Sequence, residues 1–399
     1  MNMLVVSDVD LQGEASGAER VLAAHCLGLA KRGHKVYLIA GVHGYAAKEV
    51  EEIQGVKVYR YRRSFGSFLG SSRLFRALSP QVPFDVLMFH QPLSALGVLM
   101  ARGSGFIPKV YVFHSPWAEE YAVRVATRGS LFRGGRLPRR TVERVALKRC
   151  QRIFVLSRFM ADRLATEHPG LEDRVALLPG GVDLDRFRPA EDRQAVKTAL
   201  GIPPGSLVLL TVRNLEPRMG LDHLLHAMAE VANAVPAVLL IGGRGPIEHE
   251  LKELAGRLGV NSSVRFEGYI PEERLPIYYQ AADFFVLPTK SLEGFGLVAV
   301  EAFACGTPVL GTPVGAIPEV LGALEADLLF EGIDPDAIAR GIRDHLKRAQ
   351  SDPDSYEALR RRCRAYAVTR FGWDPIVKQL EQELLNLGKG REGSASRVK

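Results

Sequence analysis

Two carboxylates, Glu293 and Glu301, bracket the segment EGFGLVAVE. A span of eight residues across a loop and a helix is too long for two carboxyls sharing one proton, which must nearly touch. No histidine lies near them in the sequence, so a metal centre is not indicated. Two separate tasks along one elongated ligand fit the spacing better, with ordinary helix charges as the plain alternative. The residues between them add a second property. Gly294 and Gly296 permit tight turns, and a helix is predicted from Leu297 to a point before Gly306. The N–H groups of Leu297 and Val298 would then be unpaired donors at a helix N-terminus, a seat for phosphate.

In TVRNLEPRMG, Arg213 follows an apolar strand directly and Arg218 precedes a helix start at Gly220. Two guanidinium groups so placed can clamp a diphosphate; surface charge on a loop is the alternative. In SDVDLQGEASGAERV a turn of small residues leads into a helix near Gly17, where backbone N–H groups can hold an anion. This is not a GxGxxG fingerprint, so a dinucleotide is not indicated. Asp8 and Asp10 can bind a divalent cation, but D-x-D also arises often by chance. His114 ends a strand in VYVFHSPW, and His90 ends the strand before it in MFHQP. Either can hydrogen-bond or move a proton near neutral pH, and either can be structural.

The elements that must position these residues alternate along the chain. Apolar strand runs are predicted at Leu4–Ser7, Lys35–Ala40, Val56–Tyr61, Asp85–His90, Lys109–His114, Arg152–Ser157 and Val175–Leu178, then at Leu207–Val212, Ala237–Gly242, Val264–Tyr269, Asp283–Pro288, Pro308–Gly311 and Asp327–Phe330. Segments such as Gly17–Arg32, Gly220–Asn233 and Ile247–Leu258 have helical spacing between them. Continuous apolar strands alternating with helices predict parallel, doubly wound α/β sheets with ligands at the strand carboxyl ends. The pattern restarts after the Gly/Pro- and charge-rich PGGVDLDRFRPAEDRQAVKTALGIPPG. Two Rossmann-like domains facing across a cleft, 1–187 and 188–374, are therefore expected. The polar, Gly/Ser-rich end, 389–399, reads as a flexible tail.

The chain has 399 residues, 47% apolar and 24% charged, as in an ordinary globular enzyme. Four scattered cysteines, with no CxxC pair, point to reduced thiols. There is neither a signal-peptide pattern nor an apolar run of about 20 residues, so the expectation is a cytoplasmic protein or one on the inner face of a membrane. Net charge is +7, and between Val123 and Arg152 ten basic residues stand against one acid, Glu143. With YRYRRSFGSFLGSSRLFR, this suggests an anionic partner such as nucleic acid, anionic lipid or a phosphorylated acceptor. A solvated helix face is the alternative.

Together these residues resemble the retaining glycosyltransferases of family 4, which have the GT-B architecture. The first half carries the likeness in SGAERVLAAHCLGLAKRGHKVYLIA, FHSPW and LLPGGVDLDRFRP. The second carries it in RNLEPRMGLDHLLHA, LLIGGRGP, VRFEGYIPEERLPIYYQAADFFVLP and, most specifically, LEGFGLVAVEAFACGTPVLGTPVGAIPEV. The resemblance implies transfer from a nucleotide-diphosphate sugar to a glycan, lipid-linked or small-molecule acceptor, with retained configuration and no metal or other cofactor. It assigns Glu293 to the donor sugar's hydroxyls and Glu301 to the ribose. The backbone of Phe295, Gly296, Leu297 and Val298 would meet sugar and diphosphate. Arg213 matches the diphosphate arginine, Tyr269 and Ile270 the base site, Gly17 a diphosphate contact, and His114 a histidine near donor sugar and acceptor. RFGWDPIVKQLEQELLNL resembles a last helix, 375–388, that returns to the first domain.

The departure from the family is Met219, where a lysine is usual. A thioether cannot neutralise a diphosphate, so Arg213, Arg218 and the helix N-terminus would share that task. A catalytically weak nucleotide-sugar-binding or scaffold protein is the alternative of a different class. An oxidoreductase lacks its GxGxxG, and a nucleic-acid binder would rest on charge alone. The basic residues Arg133, Arg136, Arg139 and Arg140, with the Ser64–Arg76 stretch, instead suggest docking on anionic membrane or a lipid-diphosphate acceptor.

Overall fold

The structure is a computed structural model describing residues 1–11, 16–42, 48–63, 66–125 and 135–395. It divides into two compact units, Met1–Gly180 with Trp373–Lys399, and Gly181–Gly372. The first is built on strands β1 (Asn2–Ser7), β2 (Lys35–Val42), β3 (Val50–Ile53), β4 (Val56–Arg62), β5 (Val86–Phe89), β6 (Lys109–Phe113), β7 (Arg152–Val155) and β8 (Val175–Leu177). Their order in the sheet is β3-β4-β2-β1-β5-β6-β7-β8. All neighbours are parallel except β3, which pairs antiparallel with β4. The chain runs outward from β1 on one side and resumes at β5 on the other, so the order reverses between β1 and β5. Leu4, Val5, Val6, Leu87, Val110 and Val112 are all fully buried there. Each such side chain stabilises the fold by about 2 kcal/mol relative to leaving it in water.

The second unit carries β9 (Leu207–Val212), β10 (Ala237–Gly242), β11 (Val264–Gly268), β12 (Phe284–Leu287) and β13 (Val309–Gly311). The order is β11-β10-β9-β12-β13, all parallel, with its reversal between β9 and β12. The stretch from Gly181 belongs to this unit. Phe187 is buried edge-on against Tyr279 at 5.8 Å, and Arg364 donates to the Phe187 carbonyl at 2.8 Å. The division thus falls a few residues before Arg188.

Three expectations are corrected. The segment Asp327–Phe330 is not a strand but a 3-10 turn, Ala326–Leu328, followed by one bridge from Leu329 to Gly311. Strand β13 has only three residues, too few to support a further ladder. Strand β3 was not expected, because Val-Glu-Glu-Ile is half charged. It is an edge strand turned by Gln54 and Gly55, both at positive φ (48° and 83°), and its carboxylates suit an edge facing water. The last helix is Trp373–Ala395, longer than the expected 375–388, and continues through most of the stretch read as a loose tail. Extending a formed helix adds a hydrogen bond per residue and needs no new nucleus; residues 396–399 lie outside the described residues. This helix belongs to the first unit: Glu381 takes Arg32 and His34, each at 2.7 Å, and Ile376, Val377, Leu380 and Leu384 are buried.

Candidate active site

In an open parallel sheet, the crevice for a ligand lies beyond the strand carboxyl ends where the order reverses. In the second unit that place is the end of β9 and β12. Arg213 is the first residue after β9, and Thr289 and Glu293 follow β12. The Arg213 Nη2 donates to Glu293 Oε2 at 2.5 Å, and its Nη1 donates to Thr289 Oγ1 at 2.8 Å. The Thr289 hydroxyl donates in turn to Glu293 Oε2 at 3.2 Å. Thr289 is fully buried, and its carbonyl accepts the Thr312 hydroxyl at 2.6 Å. The Arg213 and Glu293 side chains are only 5% and 14% exposed, so water screens their attraction little. The Arg213 Nε has no partner among the described residues.

The loops that carry this network are locked to each other. Gly220 sits at φ 72°, and a Cβ there would stand 1.8 Å from the Pro288 carbonyl oxygen. Only glycine accepts both the left-handed backbone and that approach. Lys290 N–H donates to the Arg218 carbonyl at 2.8 Å, and its ammonium reaches both Asp222 oxygens at 3.0 and 2.8 Å. Leu292, just before Glu293, is held at φ 57°, a conformation costing a bulky residue about 1–3 kcal/mol. Its carbonyl accepts Arg218 Nη1 at 3.0 Å, while Arg218 Nε donates to Glu216 at 3.3 Å. Arg218 therefore braces the glutamate loop. Met219 is buried, 6% exposed.

Gly296 takes φ 85° and caps the helix Leu297–Ala304, whose first N–H groups receive no side-chain cap. Phe295 is buried edge-on to Phe371 at 5.8 Å, which fixes the backbone entering that helix. Glu301 is 3% exposed and accepts the Tyr279 hydroxyl at 2.8 Å. Beyond β11, Ile270 is buried against Gly242 while Tyr269 is 49% exposed. The two glutamates of the opening motif thus have different partners. Sequence reading missed Thr289, Thr312 and Tyr279. A threonine directly after an apolar strand was the available sign for Thr289, whereas Tyr279 faces Glu301 only through tertiary packing.

In the first unit, Gly17 is exposed and begins the helix Gly17–Lys31, where Ser16 and Glu19 form a capping box. Residues 12–15 of that loop lie outside the described residues. Asp10 is spent on Arg60, Oδ2 to Nε at 2.6 Å, and Asp8 accepts the Tyr61 hydroxyl at 2.7 Å. Among the described residues no group of three or more potential ligands stands together as a metal site. His90 and His114, alternatives in the sequence, are brought together: His90 Nδ1 lies 3.1 Å from His114 Nε2. His25 packs behind His90 at 5.9 Å between ring centres. Burial pushes His114 down to about 4 and His25 to about 3, the latter helped by the nearby His114. Burial, then His114 and His25, hold His90 well below the usual histidine value.

Much of the basic cluster is tied down within the unit. Arg136 and Arg140 both reach Glu167, at 3.2 and 3.3 Å, and Arg139 lies 3.5 Å over the Tyr121 ring. Arg128, Arg133, Ser64 and Phe65, and the side chain of Arg124, lie outside the described residues. Leu69, Phe106 and Leu137 are exposed large apolar groups in this unit. No helix among the described residues is long and apolar enough to cross a membrane.

The profile of the family described as Glycosyl transferases group 1 matches residues 192–369, and that of Glycosyltransferase Family 4 matches residues 15–186. D-inositol 3-phosphate glycosyltransferase 1 of Catenulispora acidiphila is 32% identical over 324 residues, 77% of this chain and 74% of that one. A D-inositol 3-phosphate glycosyltransferase of Streptomyces bingchenggensis is 37% identical over 224 residues, 54% of this chain. This chain spans about half (48%) of that relative's length. Among solved structures, a sucrose-phosphate synthase of Thermosynechococcus elongatus superposes with a TM-score of 0.83 at 24% identity, covering 98% of this chain and 100% of that one. At that identity the likeness speaks for the fold. Two doubly wound sheets, parallel apart from the edge strand β3, family profiles over both halves and a relative matched across three quarters of its length lead to one conclusion: the chain belongs to glycosyltransferase family 4 and has the GT-B fold.

Proposed function

We propose that the protein transfers a sugar from a nucleoside-diphosphate sugar to a hydroxyl acceptor, with retained configuration and without a metal or other cofactor. The observation that carries this reading is the buried Arg213–Thr289–Glu293 network beside the uncapped helix start at Leu297. It sets a fixed cation and backbone donors where a diphosphate needs neutralising, and a carboxylate where sugar hydroxyls need an acceptor. On this reading Arg213 and the Phe295–Val298 backbone hold the diphosphate. Glu293 binds the sugar, Glu301 the ribose, and the residues at Tyr269 and Ile270 the base. In the first unit, Gly17 meets the diphosphate and His114 the sugar. The bond from the sugar's C1 to the diphosphate breaks with its electron pair leaving on the phosphate oxygen. The acceptor oxygen bonds C1 on the same face and gives its proton to that phosphate.

The acceptor is a glycan, a lipid-linked sugar or a small polyol. The named action of two relatives on inositol 3-phosphate supports a phosphorylated polyol first. The excess of basic residues between Val123 and Arg152 supports contact of a cytoplasmic protein with anionic membrane, and no part of the reading calls on nucleic acid. The working domain boundaries are Met1–Gly180 with the returning segment from Trp373, and Gly181–Gly372, in place of the limits 1–187 and 188–374 expected from the sequence. Buried Met219 in place of the family's usual lysine favours one second reading, a nucleotide-sugar-binding protein with little turnover. The test is incubation with a panel of nucleoside-diphosphate sugars and acceptors, with and without chelator, followed by product NMR for anomeric configuration. An α-linked product from an α-linked donor, unaffected by chelator, is expected. An inverted product overturns the mechanism, and nucleotide binding without turnover across the panel favours the second reading.

A further inference from the structure

The two histidines at the end of β5 and β6 carry more than a contact. His90 Nδ1 and His114 Nε2 are 3.1 Å apart, so one proton lies between them. The other ring nitrogen of His90, Nε2, is buried and has no partner among the described residues. Burial keeps both rings neutral at physiological pH. If the shared proton sat on His114, neutral His90 would have to carry its own proton on Nε2, as a buried N–H with no acceptor. If it sits on His90 Nδ1, Nε2 is only a bare lone pair. Orphaned buried N–H groups are the rarer and costlier of the two. His114 is partly exposed, and its Nδ1 has no partner among the described residues.

We propose that His90 is a positioning residue that donates its Nδ1–H to His114 Nε2 and so fixes His114 as the Nδ1–H tautomer, presenting a hydrogen-bond donor to substrate rather than a base. The functional half of this rests on the reading that His114 meets the donor sugar or acceptor. His114 then contributes to the reaction by donating to a sugar or phosphate oxygen as charge develops, and takes no proton from the acceptor. That fits a transfer in which the leaving phosphate accepts the acceptor's proton. It also explains a buried histidine at the point where the sheet's order reverses, a place where a purely apolar side chain would pack without leaving an unpaired nitrogen.

The test is a long-range ¹H–¹⁵N spectrum of the full-length, ¹⁵N-histidine-labelled protein at neutral pH, with assignment through the single variants. His114 is expected with Nδ1 protonated and Nε2 bare. In His90→Leu its proton should move largely to Nε2, the form favoured by free imidazole. In His90→Asn, whose amide N–H₂ lies close to where Nδ1–H stood, the Nδ1–H form should return. Turnover at saturating donor should fall about tenfold in His90→Leu with little change in donor KM, and most of it should return in His90→Asn. A wild-type His114 protonated on Nε2, or a tautomer indifferent to both variants, overturns the proposal; the wild-type spectrum decides even if His90→Leu does not fold. Full activity in His114→Ala overturns the functional half separately, whatever the spectra show.

Discussion

Arg213 and Glu293 form a hydrogen-bonded ion pair, Nη2 to Oε2 at 2.5 Å, and the hydroxyl of Thr289 bonds both. The pair joins the ends of two strands distant in sequence and adjacent at the sheet's reversal. On the proposed function, an arginine already oriented need not be ordered when a diphosphate arrives. Electrostatic stabilisation by fixed charges derives its strength from that lack of reorganisation.

Glu293→Gln separates the two partners' roles. The amide keeps a hydrogen-bond acceptor for Arg213 but removes the negative charge that competes with a diphosphate. Turnover should fall about 100-fold, the scale of one lost transition-state contact. Affinity for the nucleoside diphosphate alone should hold or improve. Steady-state kinetics beside calorimetric titration of the nucleotide read the two effects apart; loss of both in parallel would contradict the separation.

On the proposed function, Thr289 acts through Arg213, whose Nη1 it accepts at 2.8 Å. Thr289→Val keeps the shape and leaves Nη1 of a buried guanidinium without its acceptor, a cost of about 1–3 kcal/mol. A fall in kcat/KM of about tenfold or more is expected, with Thr289→Ser close to wild type. Equal activity in Val and Ser variants would remove Thr289 from the network.

The strands bearing these residues were legible because both faces of each are buried, which leaves long apolar runs, and the glycine turns before Leu297 marked the helix start. The pairing of Arg213 with Glu293 was not legible. They are 80 residues apart and meet only because β12 lies beside β9. Arg218 looked like a second phosphate cation, and only the left-handed Leu292 backbone shows what it braces. Likewise His90 and His114 read as rivals, since the sequence does not show that neighbouring strands end at the same level.

Gly220→Ala tests the locking of the two loops. The left-handed φ alone costs about 1 kcal/mol or more, and the Pro288 carbonyl must shift to admit the new Cβ. A lower melting temperature and a weaker nucleotide affinity are expected together. An unchanged melting temperature would show that the loops move independently.

His25 and His90, which are buried, and His114, which is partly exposed, set an acid limit on the first unit. Their folded pKa values lie below the ordinary value of about 6.5, with His114 near 4 and His25 near 3. The unfolded chain therefore takes up protons first as pH falls. Their stabilisation is fully present above about pH 6.5 and is lost progressively toward pH 4, at up to about 1.4 kcal/mol per pH unit for each histidine. Melting temperatures across that window should fall, and His25→Phe should make the slope shallower. A flat profile between pH 6.5 and 4 would mean that these rings are not neutral in the folded state.

Calorimetric titration of nucleoside diphosphates into wild type and Arg213→Ala tests the central assignment most directly. The expected result is saturable binding of at least one nucleoside diphosphate to wild type, weakened tenfold or more in a folded Arg213→Ala protein. Equal affinity in the two proteins, or no binding of any nucleoside diphosphate to wild type, would contradict it.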